Sequence, residues 1–206
     1  MTPPSITTRR AAAMEVMALT LAVSVIGRLT RDNAWVPATS VVLLYAPLAV
    51  LGWRGRPSAR YGYALSLWRR GLPCLLTATA GLLVPFVAIV MSWRLAHGGA
   101  QALWPGTVTL TVAAWQAVLV VIPEEMFFRG FVQARLDDAA FGRNARVVAT
   151  ATLFMTAHLV VEPDWMRLLV FVPGLVSGWL RERSGGLLAP AGFHWLSNMT
   201  AAGLLL

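Results

Sequence analysis

Lysine is absent from these 206 residues, cysteine occurs once, and only nine side chains are acidic. Charged residues make up 13% of the chain and hydrophobic ones 57%, where a soluble domain is about a quarter charged. That scarcity of charge argues against an ordinary water-soluble fold, and a mean hydropathy of +0.65 agrees. The lone Cys74 excludes an intramolecular disulfide. With no histidine or acid near it in sequence, it is not read as a catalytic thiol. With lysine missing, the net charge of +8 rests on arginine alone, which together with abundant alanine hints at a GC-rich genome. These arginines fall between apolar runs and do not line one face, so no nucleic-acid partner is expected. They read as topology signals and as contacts to the anionic head groups of a lipid bilayer. No internal repeat, low-complexity tract or separate soluble domain is evident.

What the chain does have is length in its apolar runs, several of which reach the roughly 20 residues a bilayer crossing needs. The expected fold class is an all-α polytopic membrane protein, a single domain over residues 1–206 with a motif-bearing core at about 107–206. About seven transmembrane helices are expected, at approximately Ala11–Gly27, Ala34–Trp53, Leu72–Trp93, Thr107–Leu136, Val147–Val161, Met166–Leu180 and Leu187–Leu206. At about 1.5 Å per residue the fourth is too long for one crossing, so its end should project into water or bend. Pro123, which removes one backbone hydrogen bond, is the natural place for a bend. Residues 54–71, RGRPSARYGYALSLWRRG, read as a basic helix lying on the inner leaflet, with Tyr61, Tyr63 and Trp68 dipping into it. The first run follows Arg9 and Arg10 and is read as an uncleaved helix, because no small-x-small cleavage site precedes a soluble domain. With the N-terminus in the cytoplasm, only Arg28, Arg31, Arg94 and Arg167 of the 17 arginines fall outside. That bias fits the positive-inside rule and a multi-pass protein of the inner (plasma) membrane.

Three polar insertions interrupt this apolar background. Glu124 and Glu125 stand together in WQAVLVVIPEEMFFRGF, with Arg129 four residues after the second. A charged side chain within a membrane helix costs about 2.5–3.5 kcal/mol on insertion scales, so each needs a partner or a task. Glu125 and Arg129, at i and i+4, share a face and can neutralise each other. Glu124 is turned about 100° away, which leaves its carboxylate available. Phe154 and His158 form the second insertion, His194 and Asn198 the third, each pair one turn apart on a separate helix. A watery pocket lined by Glu124, His158, His194 and Asn198 holds the parts for hydrolysing a peptide bond. The carboxylate takes a proton from water, an imidazole holds that water, and the remaining donors stabilise the oxyanion.

The ordered set EExxxR, FxxxH and HxxxN, from about Trp115 onwards, resembles the CPBP family of glutamic intramembrane endopeptidases. That family includes type II CAAX prenyl proteases and bacteriocin self-immunity proteins. The resemblance implies a metal-independent peptide hydrolase that needs no cofactor and acts on a membrane-associated protein or peptide. It places the water-activating base on Glu124, the neighbouring acid and arginine on Glu125 and Arg129, the water-holding imidazole on His158, and the oxyanion donors on His194 and Asn198. Phe154 is then expected to form pocket wall. Short bacterial members also resemble sorting enzymes of the myxosortase kind, which trim C-terminal anchors of surface proteins. In the expected helix register Glu124 falls towards the inner leaflet, which is in tension with outside access.

Two other readings compete. His158, His194 and a glutamate could hold a catalytic zinc, although HExxH is absent and the ligands would come from three helices. Alternatively the polar set is interhelical glue in a non-catalytic immunity or binding protein; a transporter fits less well without an inverted repeat. Glu15, inside the first run, is expected to snorkel or to contact another helix. His97 reads as solvated, and the tryptophans near helix ends read as interfacial anchors. Oligomeric state is not legible.

Overall fold

The computed structural model describes residues 5–31, 36–53, 61–63, 68–98 and 108–204. Seven helices run through them. They are α1 (Ile6–Thr30), α2 (Val36–Trp53), α3 (68–98), α4 (Leu110–Asp138), α5 (Arg143–Val161), α6 (Phe171–Ser184) and α7 (Leu188–Leu204). Among the described residues there is no strand, and the protein is an all-α polytopic membrane protein. Four helices are long and apolar enough to cross a bilayer: α1, the Arg69–His97 stretch of α3, α4 and α5. The shorter α2, α6 and α7 complete the seven expected runs, with α6 preceded by a 3₁₀ turn at Trp165–Val170.

Helix ends follow local chemistry. Ser5 caps α1 by accepting from the Thr8 amide, and Thr109 does the same for α4 from Val112. Gly185 stops α6 with φ at 73°, a left-handed conformation that glycine adopts without strain. The stretch of α6 against α5 is small-faced: Gly174 and Gly178 lie four apart, and a Cβ on Gly178 would meet Val147 Cγ1 at 3.1 Å. Small residues at this spacing let two membrane helices approach closely.

Paired ends fix the helix directions. Thr30 at the close of α1 shares a 2.8 Å hydrogen bond with Thr39 near the start of α2. Arg31 reaches Glu162 at the end of α5, and Arg94 of α3 donates to the Leu204 carbonyl of α7. Along α7, Trp195 Nε1 donates to Ala113 of α4 and His194 meets Glu125, so α7 runs against α4. Thus α1, α3, α5 and α7 point one way, while α2, α4 and α6 point the other. At the end where α1 starts, Arg135 binds Glu15 at 2.6 Å and Asp138 at 2.5 Å, and Arg146 clasps Glu182. Glu15 therefore does contact another helix, through Arg135.

Two expectations change. The interfacial segment lies largely outside the described residues, but Tyr61 and Tyr63 do not sit on a membrane surface. Tyr61 is fully buried and stacks on Phe131, while the Tyr63 hydroxyl donates to the Met126 carbonyl at 3.0 Å. The hydrophobic core around Phe127, Phe128 and Phe131 recruits both rings because their apolar bodies are better buried than wetted. Burial also pushes the Tyr63 hydroxyl pKa well above its ordinary value. Secondly, α4 spans Leu110–Asp138 where Thr107–Leu136 was expected, which puts Glu124 fourteen residues from either end of the helix.

Exposed Trp53, Trp93 and Trp165 lie at helix ends, as anchors do, whereas Trp35 and Trp104 lie outside the described residues. Exposed His97 stacks on Trp93 and hydrogen-bonds its carbonyl.

Candidate active site

The backbone of α4 is unusual where the glutamates sit. Residues Gln116–Val121 and Met126–Val132 are π-helical, and only the short α turn Ile122–Glu125 separates them. Wide turns of this kind cluster at functional sites, because they re-aim side chains within an otherwise regular helix. Three carbonyls in these turns accept from side chains of other segments. Ser40 of α2 donates to Leu119, whose ordinary α-helical donor would have been the missing N–H of Pro123. Tyr63 donates to Met126, and Arg181 Nε donates to Arg129 at 3.2 Å. A Cβ on Gly130 would meet the Tyr63 ring at 2.5 Å, so only glycine admits that approach.

Glu125 is buried and lies at the hub. Its Oε1 takes Arg129 at 2.9 Å and His194 Nδ1 at 2.8 Å. The expected ion pair is therefore also the anchor of an imidazole. Arg129, equally buried, donates onward to the Gly174 carbonyl and lies 4.3 Å over the Phe154 ring. Glu124 is only partly buried, and its Oε2 stands 3.7 Å from His194 Nε2. That oxygen is sheltered from solvent without a hydrogen-bond partner among the described residues.

On α5, His158 Nδ1 lies 2.9 Å from the Phe154 carbonyl. A carbonyl only accepts, so this nitrogen carries a proton, and when the ring is neutral its Nε2 is the acceptor. Phe154 is 2% exposed and packs edge-to-face on both His158 and His194. It is thus a spacer fixing the two imidazoles, and the aromatics that line the cavity are Trp115 and Phe128. Asn198 Nδ2 donates to Gln116 Oε1 at 3.2 Å. Gln116 escaped the sequence reading, since a single amide in an apolar run carries no pattern until its partner is known.

A cavity of about 280 Å³ runs from Glu124 and His158 to one end of the bundle, and His194 and Asn198 are not among its lining residues. Glu124 and His158 line its inner part, with Val23, Leu43 and Phe128, and Arg31, Glu162 and Arg167 lie at its mouth. Glu124, Glu125, Arg129, Phe154, His158 and His194 thus converge from three helices. Among the described residues no three His, Cys, Asp or Glu side chains are grouped as ligands for a metal ion.

One carboxylate and one imidazole, Glu124 and His158, thus share a cavity among the helices, with Glu125 and His194 packed behind them. The segment that carries them can also be placed by comparison. Residues 105–200 match the family described as type II CAAX prenyl endopeptidase Rce1-like, which covers all three motifs. The matched stretch is slightly less than half of the chain, and it makes the motif-bearing part similar to that family of membrane endopeptidases. No curated protein and no solved structure matches the chain.

Proposed function

We propose that the protein is a glutamic intramembrane endopeptidase in which Glu124 activates the attacking water. The observation that carries this is the Glu124 carboxylate, with one oxygen sheltered and unpartnered 3.7 Å from His194, on the wall of a cavity it shares with His158. A buried polar atom without a partner costs about 1–3 kcal/mol, a penalty better explained by chemistry than by packing.

A water beside Glu124 gives its proton to that carboxylate while His158 Nε2 accepts its second hydrogen. The water oxygen attacks the substrate carbonyl carbon, and the resulting oxyanion is met by Asn198 Nδ2 and by His194. Glu125 steadies His194 in the way a buried carboxylate orients an imidazole in hydrolases, and it stabilises the ring when charged. Arg129, 2.9 Å from Glu125 Oε1, pairs with that carboxylate and holds it in place. As the tetrahedral intermediate collapses, the C–N bond breaks and the proton on Glu124 passes to the leaving amine. No step in this scheme calls on a metal or cofactor.

The test is Glu124→Gln in purified protein. Cleavage of a membrane-anchored reporter should fall at least about 100-fold, the lower range for general-base removal, with the melting temperature unchanged. Retained cleavage would refute the role. Activity that survives strong chelators separates this reading from a zinc protease. A Glu124→Gln variant that still protects cells from a peptide toxin would instead favour a binding role.

A further inference from the structure

The cavity has one polar end, and it is not the arginine-rich one. From Glu124 at the centre of α4 it runs along the last two turns of α1, the start of α2 and the last turn of α5. It reaches Arg31, Glu162 and Arg167, where Arg31 and Arg167 both engage Glu162. Of the described arginines away from the centre, four lie towards this end: Arg28, Arg31, Arg94 and Arg167. Nine lie towards the other, from Arg9 and Arg10 at the start of α1 to Arg181 and Arg183 at the close of α6. The helix directions fixed by the end-to-end contacts make this a division between two faces of one bundle. Arginines concentrate on the cytoplasmic face of membrane proteins, and the bias sets their orientation.

We propose that the active-site cavity opens on the extracytoplasmic face and takes its substrate from there: the juxtamembrane segment of a membrane-anchored protein exposed outside the cell membrane. This rests on the reading of Glu124 as the catalytic base. The cavity walls narrow the kind of segment. The hydroxyls along it are already committed: Ser24 to the Thr20 carbonyl, Thr30 to Thr39, and Ser40 to Leu119. What remains facing the space is chiefly apolar, from Val23, Leu43, Leu119 and Val161. At about 280 Å³ it is at the small end of ligand pockets, so it admits a short extended stretch and not a folded surface. A substrate therefore offers a few apolar residues to the slot and leaves its hydrated chain at the charged rim. The opposite face carries ion pairs among Arg135, Asp138, Glu15, Arg146 and Glu182 and a smaller cavity of about 160 Å³, which reaches Arg129 but is lined by neither Glu124 nor His158.

The experiment reads sidedness without reading catalysis. In a Cys74→Ala background, Thr30→Cys in the cavity and Arg28→Cys on the exposed surface at the same end report the proposed outer face, and Arg183→Cys reports the other. Each is treated with a membrane-impermeant maleimide in right-side-out and in inverted vesicles. Arg28→Cys stays informative if Thr30→Cys fails to fold. Labelling of Thr30→Cys or Arg28→Cys at least tenfold faster in right-side-out vesicles, with the reverse for Arg183→Cys, is the expected result. The opposite pattern, or no difference between the vesicle types, overturns the proposal. Because no cleavage is measured, an inactive enzyme with this labelling pattern would sink the protease reading alone. An active enzyme labelled from inside would sink only the outward opening.

Discussion

Two polar clusters occupy the same helix a few turns apart, and they are built on opposite plans. Towards the end of α4, Arg135 is held by Glu15 and Asp138, and Gln133 joins Arg146 on Glu182. At the centre, Arg129 and His194 both meet Glu125 Oε1, whereas the neighbouring Glu124 faces His194 and has no arginine within ion-pair distance among the described residues. Closure of the first cluster fastens four helices together. Incompleteness in the second leaves a charge that can accept a proton. Within a membrane, where each ion is expensive, a carboxylate without an arginine beside one that has its arginine marks where structure ends and chemistry begins.

The comparison can be broken first at Arg129. Arg129→Met leaves Glu125 buried without its cation, which should cost about 3–5 kcal/mol and abolish activity together with the folded fraction in detergent. Glu124→Gln should by contrast lose activity and keep stability, so a size-exclusion profile beside a cleavage assay separates the two acids. A sharper cut falls on the oxyanion side. Asn198→Ala should lower kcat roughly 100- to 1000-fold, as removal of such a donor does. Gln116→Ala, which only frees Asn198 to wander, should cost less and leave KM in place; equal losses would mean that Gln116 touches substrate itself.

Next comes Ser40→Ala, which strips the Leu119 carbonyl of its side-chain donor. A loss of about 1 kcal/mol in unfolding free energy is expected. The smallest effect is set by pH at the closed cluster. Burial raises the Glu182 pKa, but hydrogen bonds from Arg146 and Gln133 outweigh that and hold it below its ordinary value. A depressed carboxyl stabilises above its unfolded pKa, and the contribution fades as pH falls through the folded value. Melting temperature should therefore drop on acidification, and less so in Glu182→Gln.

Much of this was legible in the sequence. The apolar runs gave seven helices, because lipid demands continuous hydrophobicity and does not depend on the partner. The motifs gave the acid pair, the arginine and both imidazoles, because helical spacing fixes which side chains share a face. What required distant partners was hidden. The bond between Glu15 and Arg135 joins residues 120 apart in sequence, and Gln116 means nothing without Asn198. Tyr61 and Tyr63 looked interfacial amid basic neighbours, yet a core of phenylalanines drew them in. Hydropathy itself misleads about burial. The Arg69–His97 stretch is the most apolar span at 2.3 and is only 11% buried, whereas α1 at 1.6 is 33% buried. Lipid, and not protein, accounts for that greasiness.

The two widened turns flanking Ile122–Glu125 carry a cost for the lineage that keeps them. Each wide turn holds one more residue than the regular coil would. Deleting a single codon there would leave a span of nearly the same greasiness and length. The flanks would stay nearly in register, because the residue lost is the one that made the turn wide, but the carbonyls and side chains aimed by that turn would be redirected. Such a gene would still yield an inserted, well-behaved membrane protein, and it would be mute.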